Sequence, residues 1–478
     1  MKLYDILKGV CKTSFDNIEI TKISSDSREE LGEGSLFVCL VGKSFDAHSF
    51  IPELAKKGVS VFVTQRDCGL PNQIIVDDTR AVLPLLWANY YGNPQNELKF
   101  IGVTGTNGKT TITTVFKNML AKMGIKAGLI GTCQNEIGDR VIPTERTTPE
   151  PNEFFALLRE MADENCEWVV MEVSSQGLEQ KRLGDVDFEL AVFTNLTQDH
   201  LDVHGSMENY YQAKKLLFAR CKQALINIDD EWGKRYFNEI TCPKKSYAVI
   251  DDADFTADGI KLFASGSQYW YSDSSKTFKT NIALPGMYNV ANTVAVLAGL
   301  EMLGFKPNTA VPLISQVAGV RGRCEIVPTS KDFTVVIDYA HTPDAIENIL
   351  NNVKEGALGR IVCLFGCGGN RDAKKRPLMA QAAAKHADLL VITSDNPRNE
   401  DPNAIIDDIV AGLTGCDTEY VRIENRRDAI NWAVTNAKKD DIIVLAGKGH
   451  EDYQILADNV KIHFDEREVV RDALESIK

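Results

Sequence analysis

The sequence predicts an α/β protein in which parallel β-sheets are covered by helices, and three observations support this fold class. Apolar runs such as EWVVMEVSS (167–175) alternate with amphipathic helical windows from Lys99 to about residue 320. A second alternation, which includes RIVCLFG (360–366), follows the segment GVRGRCE (319–325). Polar or Gly-rich turns come directly after the apolar runs. Continuous apolar strands between helices are typical of parallel sheets.

Two boundaries divide the chain into three predicted domains, 1–95, 96–322 and 323–478. The polar, turn-rich segment YYGNPQNEL (90–98) marks the first boundary and GVRGRCE (319–325) the second. The first domain mixes short β-rich runs with brief helical stretches, so we expect a smaller mixed α/β domain. The other two are predicted to be α/β. Sheets of this kind bind ligands at the carboxyl ends of their strands, so functional residues are expected just after the apolar runs.

The composition is that of an ordinary globular protein. Of 478 residues, 44% are hydrophobic and 25% charged, which excludes disordered, collagen-like and coiled-coil chains. The formal net charge of −14 argues against nucleic acid as a partner but leaves room for a local phosphate pocket.

The 11 cysteines form no C-x-x-C pair, and the N-terminus is too polar for a signal peptide, so we expect reduced thiols in the cytoplasm. No apolar run approaches the roughly 20 residues of a membrane span, so no membrane partner is expected.

The segment KFIGVTGTNGKTT (99–111) predicts a phosphate-binding loop of the P-loop type. A strand ends in a Gly-rich turn, and a helix starts at GKTT. Backbone N–H groups near Gly105 and Gly108 can point at phosphate oxygens, and Lys109 can reach the β- and γ-phosphates of ATP. The hydroxyl of Thr110 can ligate Mg²⁺. The leading glycine is one position too early for the standard motif, and a chance GKT in a turn is the alternative interpretation.

A further metal ligand is predicted at the end of the apolar run VVMEVSS (169–175). An acid such as Glu172 in so apolar a run is costly unless it is paired or bound to a metal. We therefore predict that Glu172 is a magnesium ligand. The alternative is a carboxylate that caps a neighbouring backbone amide.

Ten sequence blocks occur in an order and spacing that make their combination specific. They are GVTGTNGKTT (102–111), TTP (147–149), MEVSSQGL (171–178), FTNLTQDHLDVHG (193–205), YYQAKKLLF (210–218), LPGMYNVAN (284–292), IDYAHTP (337–343), GNRDAKKRP (369–377), SDNPRNEDP (394–402) and GKGHEDYQ (447–454). With these blocks the sequence resembles the Mur ligase family, the ATP-dependent amide-bond formers of peptidoglycan synthesis, over essentially the whole chain. The resemblance implies a central P-loop-type parallel α/β ATPase domain, a Rossmann-like C-terminal domain and a smaller mixed α/β N-terminal domain.

The family reaction implies three catalytic residues. ATP phosphorylates a substrate carboxylate, and an amine attacks the resulting acyl phosphate. The resemblance implies that Lys109 binds the phosphates of ATP, that His200 is a metal ligand, and that Lys214 reacts with CO₂ to form a carbamate. A site that lowers the pKa of a lysine would favour this addition, whereas a solvated helix lysine, as expected of Lys215, would not react. His204 is interpreted as a structural residue or a hydrogen-bonding residue near the site. The implied magnesium ligands are Thr110, Glu172, His200 and Lys214.

The resemblance also implies the contacts of ATP. Asn289 and Asn292 lie at i and i+3 at a helix start and suit the adenine edge, and Asp338 suits a ribose hydroxyl. A helix cap for Asn289 and a turn residue for Asp338 are the alternatives. The remaining ATP contacts are Thr104, Gly105, Thr106, Asn107, Gly108, Lys109, Thr110 and Thr111.

Hydroxyls, amides and basic side chains are expected to hold the acceptor, UDP-N-acetylmuramoyl-L-Ala-D-Glu. The N-terminal domain is implied to hold the UDP end, and the central domain the muramoyl-dipeptide. The implied contacts are Ser25, Ser27, Lys43, Ser44, Phe45, Thr147, Thr148, Ser174, Gln180 and Arg182.

The run DNPR (395–398) favours meso-diaminopimelate as the incoming amine. A guanidinium can clamp the distal carboxylate of this amino acid bidentately, whereas L-lysine ends in an ammonium that Arg398 would repel. A surface ion pair of Arg398 with Glu400 or Asp401 is the alternative for that residue. The implied contacts are Arg371, Asp395, Asn396, Pro397, Arg398, Gly447 and Glu451.

Three other functions are weighed against this one. They are a lysine-adding ligase of the same family, a folylpolyglutamate synthetase-like ligase and an ATP-binding switch without catalysis. The N-terminal domain and DNPR argue against the folate enzyme, and the complete set of implied site residues argues against the switch. We expect a monomer.

Overall fold

The structure of the protein is a computed structural model. The structure describes residues 1–11, 13, 16–42, 45–197, 199, 201–263, 266–317, 319–354 and 357–477, without the side chains of 201 and 202. The chain divides into two compact units, Met1–Ser246 and Tyr247–Lys478. The division into three domains stays a prediction.

The first unit contains two sheets and the helices that cover them. Its strands are β1 (Lys22–Ser24), β2 (Ser35–Val38), β3 (Val61–Thr64), β4 (Gln73–Ile75), β5 (Lys99–Thr104), β6 (Ala127–Ile130), β7 (Asn135–Ile137), β8 (Arg140–Ile142), β9 (Trp168–Glu172), β10 (Leu190–Phe193) and β11 (Ala224–Asn227). Its helices are α1 (Leu3–Ile6), α2 (Ile51–Lys56), α3 (Thr79–Tyr90), α4 (Lys109–Lys122), α5 (Pro151–Asp163), α6 (Ser175–Glu179), α7 (Leu201–His204), α8 (Met207–Lys215) and α9 (Glu231–Glu239).

The larger sheet of this unit positions the phosphate loop. Its order is β11-β10-β5-β9-β6-β7-β8, and the pairs from β11 to β6 are parallel, whereas β7 and β8 are antiparallel. β5 and β9 are central and buried, which their continuous apolar runs predict. The smaller sheet, β1-β2-β3-β4, is parallel throughout.

The second unit contains a six-stranded sheet, an antiparallel meander and a hairpin. Strand β12 (Lys244–Ala248) crosses the boundary between the units. The strands that follow are β13 (Phe255–Phe263), β14 (Gly266–Ser272), β15 (Thr277–Ile282), β16 (Glu325–Val327), β17 (Thr334–Asp338), β18 (Ile361–Phe365), β19 (Leu389–Ile392), β20 (Glu419–Arg422), β21 (Ile442–Ala446), β22 (Tyr453–Ile455) and β23 (Lys461–His463). The helices are α10 (Met287–Met302), α11 (Pro307–Ile314), α12 (Pro343–Lys354), α13 (Lys375–Ala384), α14 (Pro402–Ala411), α15 (Arg426–Thr435) and α16 (Glu466–Ser476).

The six-stranded sheet has the order β16-β17-β21-β18-β19-β20 and is parallel apart from β16. Its central strands β18, β21 and β19 are fully buried, and α12 to α16 connect or follow them. The carboxyl ends of β17, β19 and β21 lie at one edge of the sheet. The segments that carry Asp338, Asp395 and Gly447 leave from this edge, as expected for an α/β ligand site.

The predicted α/β fold class is confirmed, but one part of the predicted alternation is wrong. Between residues 255 and 282 the chain forms the antiparallel meander β13-β14-β15 and not strands separated by helices. These strands alternate buried and exposed residues, because one face of the meander is solvated. Among the described residues, none of the helices combines the length and apolar character needed to cross a bilayer.

Candidate active site

The Gly-rich turn joins β5, which ends at Thr104, to α4, which begins at Lys109. Gly105 (φ 148°) and Gly108 (φ 85°) have backbone angles that other residues rarely adopt. A Cβ atom at position 105 would also collide with Oγ1 of Thr194. The first N–H groups of α4 have no partner within the helix, and the helix dipole favours a negative charge there. The turn therefore has the geometry of a phosphate-binding loop.

Two lysine amines converge on one carbonyl oxygen of this turn. Nζ of Lys109 donates to the carbonyl oxygens of Gly105 (3.0 Å) and Thr106 (2.7 Å). Nζ of Lys214, from α8, donates to the same Gly105 oxygen at 2.9 Å. A phosphate in the turn would therefore lie close to the ammonium of Lys109 and to the amine of Lys214, which suits the binding of a nucleoside triphosphate.

Lys214 is 2% exposed, and its amine lies in an unusual environment. Burial lowers the pKa of Lys214 well below the ordinary value, the charge of Lys109 lowers it further, and Asp199 opposes the shift. Its neighbour Lys215 instead forms an ion pair with Glu239 (2.6 Å), and its side chain is 30% exposed. The structure thus supplies a physical difference between the two lysines that the sequence did not show.

A stack of polar and aromatic side chains supports Lys214. His204 is buried, hydrogen-bonds Oγ of Ser175 through Nε2 (2.9 Å) and stacks on Tyr210 with ring centroids 5.0 Å apart. The Tyr210 ring lies 4.4 Å from Nζ of Lys214, and its hydroxyl lies 3.4 Å from Oγ1 of Thr106. Sequence reasoning missed Tyr210, although its position four residues before Lys214 on the same helix was a signal.

Glu172 is the last residue of β9, in register with Val103 of β5, and is 1% exposed. Its carboxylate accepts hydrogen bonds from the backbone N–H and the hydroxyl of Thr132, both at 2.9 Å. That hydroxyl also lies 3.0 Å from the hydroxyl of Thr147. The backbone-capping alternative for Glu172 is therefore present in this structure, and its metal role stays a prediction.

The other predicted loop residues lie at the start of α4 or before it. Thr110 and Thr111 are the second and third residues of the helix, half-buried and buried respectively. The backbone N–H of Asn107 donates to Oδ1 of Asn195 (2.9 Å), which ties the turn to the segment after β10. His200 lies outside the described residues, so its predicted role as a metal ligand stays a prediction.

The predicted dipeptide contacts form one hydrogen-bonded network. Oγ1 of Thr148 accepts from the backbone N–H and the hydroxyl of Ser174, both at 3.0 Å. Arg182, buried at 5% exposure, donates to the carbonyl oxygen of Thr148 and to Oε1 of Gln180, both at 2.7 Å. Burial lowers the pKa of the Arg182 guanidinium. Residues that are up to 34 positions apart are thus brought to one place beside the end of β9.

The predicted UDP-end contacts lie in the N-terminal part of the first unit. Ser25 and Ser27 are half-buried in the turn after β1, and Phe45 is 54% exposed. Lys43 and Ser44 lie outside the described residues. In the described part of the chain, no hydrogen bond joins Ser25, Ser27 or Phe45 to the network of dipeptide contacts.

The predicted adenine and ribose residues belong to the second unit. Nδ2 of Asn289 donates to the carbonyl oxygen of Pro285 (2.8 Å), and Nδ2 of Asn292 lies 3.3 Å from Oδ1 of Asn289. The carboxylate of Asp338 accepts from the backbone N–H of Ala340 (2.8 Å), as the turn alternative predicts. Burial raises the pKa of Asp338.

Four polar side chains meet at the carboxyl edge of the six-stranded sheet, and we call them the C-terminal polar cluster: Asp395, Asn396, Lys448 and Glu451. Nζ of Lys448 lies 2.9 Å from Oδ1 of Asn396 and 3.0 Å from Oδ1 of Asp395. Nδ2 of Asn396 donates to Oε2 of Glu451 (3.1 Å). A Cβ atom at Gly447 would lie 3.0 Å from Oδ2 of Asp395, so a glycine there admits the carboxylate.

Sequence reasoning missed Lys448, which has 0% exposure. The signal was its place directly after the apolar run DIIVLAG (441–447), where a lysine needs buried partners. Burial tends to raise the pKa of Asp395, but the charges of Lys448 and Arg426 outweigh it, and the pKa lies below the ordinary value.

Arg398 lies beside this cluster and is half-buried. Its backbone is left-handed (φ 51°), and its guanidinium donates to the carbonyl oxygen of Gly369 (3.0 Å). Pro397, directly before it, is buried, whereas Arg371 is exposed. A Cβ atom at Gly368 would lie 2.9 Å from Nη1 of Arg398 and 3.7 Å from Cγ of Arg371, so the two arginines border the same turn.

The carboxylates named as alternative partners of Arg398 are engaged elsewhere. Glu400 forms an ion pair with Arg376 (2.8 Å), and Asp401 caps α14 by accepting from the backbone N–H of Asn403 (2.9 Å). Within the described residues, no carboxylate forms an ion pair with Arg398. Its guanidinium is thus held by backbone carbonyls with donors left for a ligand.

Comparisons with known proteins identify the family of the chain. The Mur ligase middle domain matches residues 103–300, and the Mur ligase glutamate ligase domain matches residues 322–449. A protein of Clostridium acetobutylicum named UDP-N-acetylmuramoyl-L-alanyl-D-glutamate--2,6-diaminopimelate ligase 1 is 45% identical, with 96% of each chain covered. A Clostridium tetani protein named as the same ligase is 42% identical, with 99% of this chain and 98% of the relative covered.

A solved structure described as UDP-N-acetylmuramoyl-L-alanyl-D-glutamate--2,6-diaminopimelate ligase aligns with a TM-score of 0.75 and 30% identity. The alignment covers 100% of this chain and 99% of that chain. Full-length likeness in sequence and fold, together with a P-loop-type turn, shows that the chain belongs to the Mur ligase family of ATP-dependent ligases.

Proposed function

We propose that this enzyme joins meso-2,6-diaminopimelate to UDP-N-acetylmuramoyl-L-Ala-D-Glu in peptidoglycan precursor synthesis. The names of the full-length relatives support this reaction. ATP transfers its γ-phosphoryl group to the terminal carboxylate of the acceptor and leaves as ADP. The amine of the diamino acid then attacks the acyl phosphate, an amide bond forms, and phosphate leaves.

The first step brings a triphosphate close to a carboxylate, so its negative charge must be offset. The N–H groups of the turn and the ammonium of Lys109 are placed to bind the β- and γ-phosphates. The hydroxyl of Thr110 and the carboxylate of Glu172 are the hard oxygen donors that Mg²⁺ prefers, and we propose that they hold it together with His200 and modified Lys214. The bound ion would supply further positive charge for the phosphates.

Lys214 is proposed to act as a carbamate. Its low pKa makes the neutral amine accessible, and the neutral amine adds to CO₂ with loss of one proton. The product carries a carboxylate in place of an ammonium. In this buried position it would order Lys109 and the magnesium site beside the Gly-rich turn.

The acceptor and ATP contacts follow the predicted assignments. The hydrogen-bonded network around Thr148 and Arg182 suits the carboxylates and amide oxygens of the dipeptide, and the N-terminal sheet region is proposed for the UDP end. We propose that the adenosine is contacted by Asn289, Asn292 and Asp338.

We also propose that the chain has three domains, bounded near residues 95 and 322, and that it is a monomer. A cytoplasmic location is proposed as well, and the 11 free cysteines support it.

The observation that carries the choice of amine is Arg398, a guanidinium that no described carboxylate neutralises. A distal carboxylate is the complementary group, and Glu451 nearby can accept from the distal ammonium of the same amino acid. L-lysine would present only an ammonium to this pair.

A donor comparison tests the proposal. The enzyme is supplied with ATP, Mg²⁺ and the UDP-linked acceptor, and phosphate release is measured with meso-diaminopimelate or L-lysine. We expect phosphate release with diaminopimelate and at least tenfold slower release with lysine at equal concentration. A tenfold difference is about the contribution of one charged hydrogen bond. Preference for lysine would overturn the choice of amine. No release with either amino acid would favour an ATP-binding switch.

A further inference from the structure

Lys448 is a buried lysine that the proposed mechanism does not use. It follows Gly447 after β21 and has 0% exposure, and its ammonium has four oxygen atoms around it. Two are neutral acceptors, Oδ1 of Asn396 and the carbonyl oxygen of Tyr453, both at 2.9 Å. Two belong to carboxylates, Oδ1 of Asp395 at 3.0 Å and Oε2 of Glu451 at 3.4 Å. A buried ammonium is retained only with such partners.

These contacts fix the orientation of the Asn396 amide. Its Oδ1 accepts from Lys448 and from the backbone N–H of Ile455 (2.9 Å), so its Nδ2 must face the other way. Nδ2 donates to Oε2 of Glu451 at 3.1 Å. One oxygen of Glu451 is therefore bound by Asn396 and approached by Lys448. Within the described residues, no hydrogen bond engages the other oxygen, Oε1.

The charges of the cluster also indicate that Lys448 holds its neighbours in place. Asp395 and Glu451 are two carboxylates that share Lys448 as a cation, and Arg426 adds a second cation near Asp395. Arg426 is itself paired with Glu466 (2.7 Å), and both are fully buried. Without the ammonium of Lys448, Asp395 and Glu451 would lose the cation that they share, and the hydrogen-bonded arrangement around Asn396 would lose its centre.

We propose that Lys448 is a positioning residue for the amine donor: it holds Asn396 and Glu451 so that a carboxylate oxygen of Glu451 faces the distal ammonium of a diamino acid. This inference rests on the proposed function, because it assumes that the donor binds at the C-terminal polar cluster. Lys448 itself does not touch the reacting atoms. It acts through the charge and orientation of its neighbours.

The test is steady-state kinetics of Lys448→Met in the full-length enzyme. We expect the KM for diaminopimelate to rise by about tenfold or more, the scale of a lost charged hydrogen bond, with the KM for ATP and for the UDP-linked acceptor changed less than about twofold. Lys448→Arg, which keeps the charge, should restore part of the donor affinity. Lys439→Met, an exposed lysine of the same unit, is the matched control.

A double-mutant cycle with Glu451→Gln separates positioning from structural support. If Lys448 acts through Glu451, adding Lys448→Met to Glu451→Gln should raise the donor KM less than about threefold further. Fully multiplicative effects, or equal changes in all three KM values, would overturn the proposal. So would failure of both Lys448 variants to fold, judged by circular dichroism and thermal unfolding, because Lys448 would then be a structural residue. If the wild-type enzyme uses L-lysine, the proposed donor is wrong, and the same cycle run with L-lysine still decides the role of Lys448.

Discussion

Lys214 and Lys215 are neighbours in sequence, yet their amines lie in different environments. The amine of Lys214 is buried against the Gly-rich turn beside Lys109, and that of Lys215 is paired with Glu239 near the surface. Desolvation and a second positive charge both favour the neutral form of Lys214. A reaction that needs a neutral amine is therefore expected at Lys214 and not at Lys215.

Substitution of Lys214 by alanine tests this difference. We expect Lys214→Ala to lower kcat by about 100-fold or more, the scale of losing one preorganised charged group. Formate or acetate should recover part of the activity, because a small carboxylate can occupy the space of the carbamate. Phosphate release is measured with and without these anions, and Lys215→Ala serves as the control. Unchanged activity in Lys214→Ala would remove the carbamate from the mechanism.

The second residue-scale prediction concerns Arg398. Arg398→Ala removes the guanidinium proposed to clamp the distal carboxylate, so the KM for diaminopimelate should rise by about 100-fold, the upper scale of a charged hydrogen-bonded contact. The KM for ATP should stay within about twofold. Arg422→Ala, which breaks an exposed ion pair with Asp407 in the same unit, is the control and should change neither value. Equal donor KM values for Arg398→Ala and the wild type would contradict the donor assignment.

Individual site residues were predictable to different degrees. The turn from Gly105 to Lys109 followed from physical reasoning on the sequence, because glycines, a lysine and a helix start occur together. Tyr210 was missed although it lies one helical turn before Lys214, and Lys448 was missed because its role depends on neighbours that folding brings near it. Lys448, for example, meets Asn396, which lies 52 residues away in sequence. No periodicity or motif spacing records such a contact.

At the scale of elements, the sequence predicted the central strands of both parallel sheets. Runs such as those of β9 and β18 are apolar throughout because both faces of the sheet are covered. The meander from β13 to β15 was missed, because its half-solvated strands contain polar residues such as Lys279 and Asn281 that weaken the apolar signal. Continuous burial is thus easier to recognise in a sequence than one-sided burial.

A prediction at this scale concerns the turn before α4. Gly105→Ala places a methyl group against Thr194 at a backbone angle that alanine rarely adopts, so the turn must shift. We expect the Kd for ATP to rise by about tenfold or more, since several aligned N–H donors are lost together. Titration calorimetry with ATP measures the effect.

Gly124→Ala, at the other end of α4, is the matched control. Gly124 also has a positive φ of 79°, but no atom lies within 4 Å of a Cβ there. Its substitution should cost about 1 kcal/mol of stability without changing the Kd for ATP. If the two substitutions raised the Kd for ATP equally, the loss of affinity in Gly105→Ala would be caused by backbone strain and not by the collision with Thr194.

For the whole molecule, the net charge does not describe the charges at the candidate site. The chain carries −14 overall, yet the ammonium of Lys109 lies at the phosphate turn, and Lys448 and Arg426 are buried beside carboxylates at the carboxyl edge of the six-stranded sheet. The overall charge bears on which large partners are repelled, and the local charges determine which small anions bind. Buried titratable groups also link the stability of the fold to pH.

His450 gives the clearest pH prediction. Burial and the charges of Arg323, Arg321 and Arg467 together lower the pKa of His450 to about 4, against the opposing charge of Asp452. The unfolded chain binds a proton near the ordinary pKa of about 6.5, so this histidine contributes stability above about pH 6.5 that is lost as the pH falls towards 4. His450→Gln cannot take up this proton. Between about pH 7 and about pH 4.5, the wild type should therefore lose about 2 kcal/mol more unfolding free energy than the variant.

Urea unfolding of both proteins at the two pH values, followed by tryptophan fluorescence, measures the difference. The comparison isolates His450 because the buried carboxylates whose pKa values are raised, Asp338 and Glu466 among them, are common to both proteins. Their raised pKa values oppose the histidine, because they make the native state bind protons more readily than the unfolded chain. The sign of the difference between wild type and variant is therefore the informative quantity. Parallel pH dependences in the two proteins would mean that the imidazole is hydrated in the native state and that burial does not set its pKa.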